Sequence, residues 1–399
     1  MPAVLTDFPP TRAAALERLE AFAPRAGRAY AEGRNTDPGP GRPTAVSRLS
    51  PYLRRRMITE REVVQAVLAH HDARAADKYL QEVLWRTYWK GWLEQRPCVW
   101  TRFLSERRRQ MEGVDTRALR HAECGLTGIE GFDDWARELV ETGYLHNHAR
   151  MWFASIWIFT LRLPWALGAD FFLRHLIDAD PASNTLSWRW VAGLQTPGKT
   201  YLATRDNIAR HTEGRFAPQG LAREAVALTE PPLAAPRALG EPPCPPTNDP
   251  SLLLVTEEDL HPDSLMVEAP PISSLLVVAD PDLAWGDKAR RFTRAAASDA
   301  SVRLGAHFGR PAAIADRLDH EILAAAARSS GVRRIETAYA PIGPVADRLA
   351  SLTADLAAED IVLVQRRRDW DSRFWPHVTR GFFGFKAEIP AVLAASGRT

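Results

Sequence analysis

"LIDADPASNTLSWRW", residues 176–190, places Asp178, Asp180 and Asn184 within a few turns of Trp188 and Trp190. A core helix gains nothing from the acids, because an unpaired buried carboxylate is costly. A surface helix gains little from the indoles, which stabilise mainly when buried. The explanation has to come from the rest of the chain.

At 399 residues the chain is too long for one compact core, and two domains are expected. Its formal net charge of +2 does not announce a nucleic-acid binder, so any such surface must be a local patch. The three cysteines, Cys98, Cys124 and Cys244, are far apart. That pattern fits a reducing compartment and supports neither a zinc site nor an iron–sulfur cluster. "MPAVLTDFPP" has no basic segment followed by an apolar run, so no secretory signal is read. "WFASIWIFTLRLPWALG" comes nearest to a membrane span, but Arg162 and Pro164 interrupt it. The expectation is a cytoplasmic protein with no membrane partner and no metal. Of the 13 tryptophans most lie between Trp85 and Trp190. Large aromatic cores and electron transfer would both produce that concentration, and composition does not choose between them.

The hydrophobic period divides the chain. "TRAAALERLEAFAPRAGRAYAEG" and "TEREVVQAVLAHHDARAADKYLQEVLWRTYWKGWLEQ" carry apolar residues near every 3.6 positions, as amphipathic helices do. Thr59 with Glu62 forms a capping-box start. "GFDDWARELVETG" predicts a helix ended by Gly143, and "NHARMWFASIWIFTLR" a buried one. In "EPPLAAPRALGEPPCPPTNDP" roughly eight of twenty positions are proline, which predicts an extended, semi-stiff linker. Beyond it "SLLLVT", "SSLLVVAD", "SVRLGAHFG", "VRRIETAYA" and "DIVLVQ" predict strands. "DKARRFTRAAASD", "PAAIADRLDHEILAAAARSS" and "GPVADRLASLTADLAA" predict the helices between them. Alternating strands and helices imply a parallel sheet covered on both faces. The expected fold is multidomain α and α/β. A helical domain fills 1–225, a proline-rich linker 226–250, and a doubly wound, Rossmann-like domain with an aromatic tail 251–399. This second half has no G-x-G-x-x-G and no P-loop motif.

Four separated stretches of the helical half carry chemistry. "RNTDPGPGRPTAVSRLSPYL" ends a Gly/Pro-rich loop in Ser47, Arg48, Leu49 and Ser50, where hydroxyls and free N–H groups at a helix start suit a phosphate or serve as a plain N-cap. "YLQEVLWRTYW" puts Glu82, Trp85, Arg86 and Trp89 on one helical face. "TGYLHNHARM" offers Asn147, Arg150 and Met151, and the stretch quoted first is the fourth. In order and approximate spacing, these resemble the flavin-binding helical domain of the photolyase/cryptochrome family. The resemblance runs from "FPPTRAAALERLEAFAPRAGRAYAEGRN" to "YLATRDNIARHTEGRFAPQG", essentially that whole domain.

The resemblance implies FAD as cofactor, with a second, antenna chromophore of unknown identity. Tyr30 and Ser47 to Ser50 match positions around the FAD diphosphate, and Arg86 lies at a cofactor-side position. Arg150 and Asp178 match the ion pair beside the isoalloxazine, Asp180 the acid on the ribityl and adenine side, and Asn184 the residue facing flavin N5. Trp188 and Trp165 match the first and second electron-transfer tryptophans, with Trp100 and Trp92 as candidates for an exposed third. Glu82, Trp85, Asn147, Met151 and Trp190 match the positions at which cyclobutane-dimer photolyases meet the flipped lesion. The paired histidines expected for a (6-4) lesion enzyme are not evident, since "NHARM" offers only His148 beside Asn147. The implied activity is that of a deoxyribodipyrimidine photo-lyase on UV-damaged DNA. A cryptochrome-like sensor with an unknown signalling partner is the alternative. "YLRRRMITER" and "RFLSERRRQ" are either DNA-binding patches or solvated helix faces.

The chain also departs from the family pattern. The family places its α/β domain first, whereas here it follows, which suggests circular permutation. "LLLVTEEDLHPDSL" resembles the family's opening strand and loop, with Glu257 and Glu258 where arginines are usual. Tyr79 stands where an indole is common, and Glu130 where the family has proline.

Overall fold

A computed structural model of the chain describes residues 7–245, 248–266 and 269–396, the last four without their side chains. The reading of the first six residues therefore lies outside the described part. Helices α1 (Arg12–Phe22), α2 (Arg28–Gly33), α3 (Ser50–Arg54) and α4 (Glu60–Leu68) open the fold. The long α5 (Asp77–Glu94) and α6 (Cys98–Gly113) follow, then α7 (Thr116–Glu123) and α8 (Phe132–Thr142). α9 (Asn147–Ser155), α10 (Trp165–His175), α11 (Pro181–Val191) and α12 (Arg205–His211) complete the helical half. The Thr59–Glu62 capping box forms as expected at α4. The helix begun at α9 continues as a π-helical turn, Ile156–Thr160.

Residues 212–245 and 248–250 form neither helix nor strand. The segment is held along the helical half, Arg189 pairing with Glu230 and Arg237 donating to the Gln95 carbonyl at 2.9 Å. The second half runs β1 (Ser251–Val255), β2 (Ile272–Val278), α13 (Asp287–Phe308), β3 (Ala312–Ala315) and α14 (His320–Ser329). It continues with β4 (Arg334–Ala338), α15 (Pro344–Ala358) and β5 (Val362–Arg366). These strands form one parallel sheet in the order β3-β2-β1-β4-β5. Along β1 the side chains alternate between faces. Leu253 and Val255 join the core shared with the helical half, and Leu252 and Leu254 pack with α14 and α15.

One strand differs from the expected pattern. "SVRLGAHFG" is the end of α13, and β3 is "AAIA", which lies in the stretch whose spacing predicts a helix. The buried residues Phe292, Ala296, Ala300 and Leu304 recur every four positions, so the helical period runs unbroken through Ser301–Phe308. β3 is an edge strand with two of its four residues exposed, which erases its apolar signal.

The aromatic tail forms α16 (Asp369–Phe374) and α17 (Phe382–Ser396), both packed on α5. Gly91 admits Trp375, since a Cβ there would lie 2.6 Å from the indole. Trp370 donates to Thr87 at 3.0 Å, and Gln95 donates to the Trp375 carbonyl at 2.7 Å. Trp375 and Phe374 are fully buried, each worth on the order of 2–3 kcal/mol of apolar burial.

The arginine run at the end of α3 is a correction to the DNA-patch reading. Arg54, Arg55 and Arg56 are at most 3% exposed, so the run is neither a solvated face nor a DNA surface. Arg54 forks onto Glu258 with two bonds of 2.8 Å and reaches Glu257 at 3.4 Å. Arg55 donates to Thr293 and to the Ile177 carbonyl, and Arg56 pairs with Asp371 at 2.5 Å. In the second basic run Arg107 pairs with Asp170, Arg109 with Glu106 and Arg102 with Glu230, so much of its charge is also neutralised.

Removing one partner of a buried ion pair strands the other, at a cost of about 3–5 kcal/mol. Arg54→Ala should therefore lose most of that in urea unfolding, and Arg54→Met with Glu258→Leu should recover much of it. Equal stability of Arg54→Ala and wild type would show that the Arg54–Glu258 pair does not stabilise the fold.

Candidate functional site

A cavity of about 680 Å³ opens in the helical half, within the range of ligand pockets. It gathers the four stretches. From the loop before α3 come Ser47, Arg48, Leu49 and Ser50, and from α2 comes Tyr30. α5 contributes Glu82, Trp85 and Arg86, and α9 contributes Asn147, Arg150 and Met151. The segment quoted first supplies Asp178, Asp180, Asn184, Trp188 and Trp190. Of the expected site residues Trp165 lies outside the lining, as do the candidates Trp100 and Trp92.

Local geometry aims these groups. Asp180 is the N-cap of α11 and accepts from the Ser183 N–H at 2.8 Å. Its other oxygen pairs with Arg86. Burial pushes the Asp180 carboxyl up, but Arg86, Lys90 and Arg54 outweigh it and hold the group well below the usual carboxylate range. Ala179, between the two acids, has φ +39°, a conformation non-glycine residues rarely adopt. That turn presents Asp178 to Arg150 at 3.4 Å. Asn184 lines the cavity and donates its amide to the Ala169 carbonyl at 2.8 Å. Gly168 makes room for Trp188, because a Cβ there would sit 2.3 Å from the indole.

The expected Glu82 is not free. It pairs with Arg34 at 2.6 Å, and burial still pushes its carboxyl up against the pull of Arg34 and Lys78. Arg34 was missed in the sequence although it lies one turn beyond Tyr30 on the same face. The Arg48 guanidinium pairs with Asp7 at 3.1 Å and lies 4.8 Å from the ring centre of Tyr144, which also lines the cavity. Trp190 stacks on Tyr201 at 5.6 Å, and Trp85 stacks on Phe382 at 3.7 Å with planes 9° apart. No spacing in the sequence links Trp85 to the tail. His148 lines the cavity beside His146 and His211. Burial and those two rings push it down to about 4, so it is neutral at pH 7.

The indoles divide into two groups. Trp188 meets Phe172 at 5.1 Å and Trp157 at 6.2 Å, and Trp157 is a buried indole the sequence reading did not single out. Trp165 meets Phe103 at 5.9 Å, Phe103 meets Trp100 at 5.5 Å, and Trp100 meets Trp285 at 5.7 Å. Trp100 and Trp92 are 3% and 6% exposed, so neither is the exposed third tryptophan they were expected to offer. Half-buried Trp285, from the α/β half, is the outermost indole of that row.

Residues 79–218 match the family described as the FAD binding domain of DNA photolyase. The chain is 33% identical over 160 residues to a deoxyribodipyrimidine photo-lyase of Alkalihalophilus pseudofirmus, covering 40% of this chain and 33% of that one. It is 35% identical over 159 residues to one from Streptomyces griseus, covering 38% and 33%. A crystal structure of a bacterial class III photolyase from Agrobacterium tumefaciens matches with a TM-score of 0.44 and 27% identity, over 51% of this chain and 43% of that one. The chain thus spans about a third of the length of these two curated relatives. The helical half is an FAD-binding domain. Residues 79–218 are thus a photolyase-type FAD-binding domain, and FAD is its cofactor.

The donor set fits that group. Ser50 Oγ is buried on the cavity wall without a protein partner, as a hydroxyl awaiting a ligand oxygen would be. Arg86 and Arg150 supply cations, and Asn184 an amide. Among the described residues no group of histidine, cysteine and carboxylate side chains could hold a metal, and no helix is long and apolar enough to cross a membrane.

A carboxylate with a depressed pKa in the folded state stabilises the fold above its unfolded pKa, about 3.9, and loses that contribution as pH falls through the folded value. Asp180 is such a group. Asp180→Asn should cost about 2–4 kcal/mol at pH 7 and progressively less as pH falls from about 4 to 2, read as urea midpoints across that range. The same loss at both ends would show that the carboxylate charge is not what stabilises.

Proposed function

We propose that the chain is a light-driven DNA photolyase that splits cyclobutane pyrimidine dimers. The observation that carries this reading is that Glu82, Trp85, Asn147, Met151 and Trp190 share one cavity with the cofactor-holding residues. The relatives named photo-lyases support the same class. Bound FAD supplies a light-excited electron donor. The remaining work falls to the chain. Ser47 to Ser50 and Tyr30 hold the diphosphate end, with the Arg86–Asp180 and Arg150–Asp178 pairs fixing cationic and anionic partners around the cofactor. Asn184 faces the flavin ring. A dimer weakens stacking and pairing, so it leaves the duplex at lower cost than an intact pair. Trp85 and Trp190 then give its rings flat apolar walls. Glu82 and Asn147 hydrogen-bond the pyrimidine edges, and Met151 fills the remaining apolar side. Breaking the cyclobutane ring cleaves two carbon–carbon bonds without net oxidation, so the electron lent to the lesion is recovered.

A second reading, a blue-light sensor without repair activity, draws support from the burial of Arg54, Arg55 and Arg56, which removes one expected phosphate-binding patch. It predicts photoreduction without lesion turnover. The sheet that follows the helical half, with Glu257 and Glu258 facing Arg54, suits a circularly permuted family member whose unit boundaries are near residues 225 and 250.

The deciding assay combines purified protein carrying fully reduced FAD with an oligonucleotide bearing one cyclobutane thymine dimer, under blue light and in the dark. Light-dependent recovery of intact thymines is expected, with loss of at least about 90% of the rate in Trp85→Ala or Trp190→Ala, since one stacked base is worth ~1–3 kcal/mol. Unaltered repair in both variants would displace the lesion from this cavity, and no repair by photoreducible wild type would favour the sensor. Photoreduction itself should slow severalfold in Trp188→Phe, followed by transient absorption. Unchanged kinetics in that variant would remove Trp188 from the electron route.

A further inference from the structure

The stacking of Phe382 on Trp85 brings the end of the chain to the proposed lesion pocket. Phe382 is buried and lies outside the cavity lining, so it covers a face of Trp85 from behind the wall. The next residue, Phe383, is 80% exposed. Among the described residues it is the most exposed large apolar side chain, and it directly follows the ring stacked on Trp85. Cationic residues flank it in sequence, together with the exposed Glu388. Arg380 is exposed two residues before the stacked ring, with its carbonyl accepting from Tyr88 at 3.0 Å. Lys386, one turn after Phe383 on α17, is tied at 3.2 Å to Asp77, next to exposed Lys78 at the start of α5.

We propose that Arg380–Lys386 is a DNA-contacting element, in which Phe382 braces Trp85 while Phe383 enters the duplex where the flipped pyrimidines leave a gap. The proposal rests on the photolyase reading. Flipping two adjacent bases opens an apolar hole in the stack, and phenylalanine is a common wedge between base steps. The cations beside it suit the flanking phosphates. Duplex DNA is favoured over a protein partner because the ring is continuous, through Phe382, with the wall of the lesion cavity. Phe382 is a positioning residue that acts through Trp85, whereas Phe383 touches the substrate itself.

The test uses the FAD-loaded full chain and two fluorescent probes carrying one cyclobutane thymine dimer, a duplex and the matching single strand, which has no gap to fill. Phe383→Ala should weaken duplex binding about tenfold and single-strand binding far less, with Phe383→Trp restoring the difference. Phe382→Ala should weaken both probes to a similar degree, because both use the Trp85 wall, while FAD content stays at the wild-type level. Equal duplex affinity of wild type and Phe383→Ala would overturn the proposal and leave the photolyase reading standing. If wild type bound neither probe, the photolyase reading would fail and take the proposal with it. A change in sedimentation of free Phe383→Ala, with duplex binding intact, would assign the ring to contact between copies of the chain and also overturn the proposal.

Discussion

Three consecutive arginines with almost no exposure are the constraint around which this fold is arranged. Guanidinium groups do not deprotonate in proteins, so each buried charge must be met by a carboxylate or a set of acceptors. Their ion-pair partners come from outside the helical half. Glu257, Glu258 and Asp259 follow β1, and Asp371 belongs to α16, so the ion pairs close only when both the sheet and the tail are docked. Arg368 adds to this by gripping Asp259 at 2.6 Å. The network also reaches the cavity. Arg54, bonded to Glu258, is one of the charges that hold Asp180 ionised. Docking of the α/β half and the electrostatics of the cofactor site are thus parts of one charge balance.

The docking surface is the part of the sheet that usually serves a ligand. In an open parallel sheet the crevice lies beyond the carboxyl ends of the strands, where the order reverses. Here that place is between β1 and β4. Glu257 and Glu258 leave β1 toward Arg54, while Tyr339 and the Ile342 N–H beyond β4 bond both oxygens of Glu94 on α5. The crevice is therefore filled by helical-half side chains, which accords with the absence of a phosphate-binding glycine motif in this half.

Most of the candidate site was legible because its residues lie in four short runs, each confined to one helix or loop, and helical spacing predicts which face they share. Phe382 was not legible, since its partner on α5 is brought to it only by tertiary docking. The arginine run was misread for a related reason. A local cluster of like charge looks solvated until its partners are known, and here Arg54 is paired with Glu257, 203 residues away. Trp157 was passed over because it lies in a helix whose apolar composition already explained its burial. In the second half, strong apolar runs disclosed four strands of the sheet, but the edge strand β3 has too little buried surface to leave a pattern.

α5 is where these constraints meet. One side of it carries Glu82, Trp85 and Arg86 into the cavity. Thr87, Gly91 and Glu94 receive Trp370, Trp375 and the loop after β4. A helix held on both sides has little freedom to rotate or slide, since close-packed interiors transmit displacement rather than absorb it. The pairing of Arg86 with Asp180 and the ring positions of Trp85 and Trp89 are then set partly by contacts from the other end of the chain, with Tyr88 bonded to a carbonyl 292 residues away. Closing so long a loop is entropically unfavourable. The buried ion pairs and the indoles Trp370 and Trp375 are the interactions strong enough to offset it, and they are also the ones that fix the cavity wall.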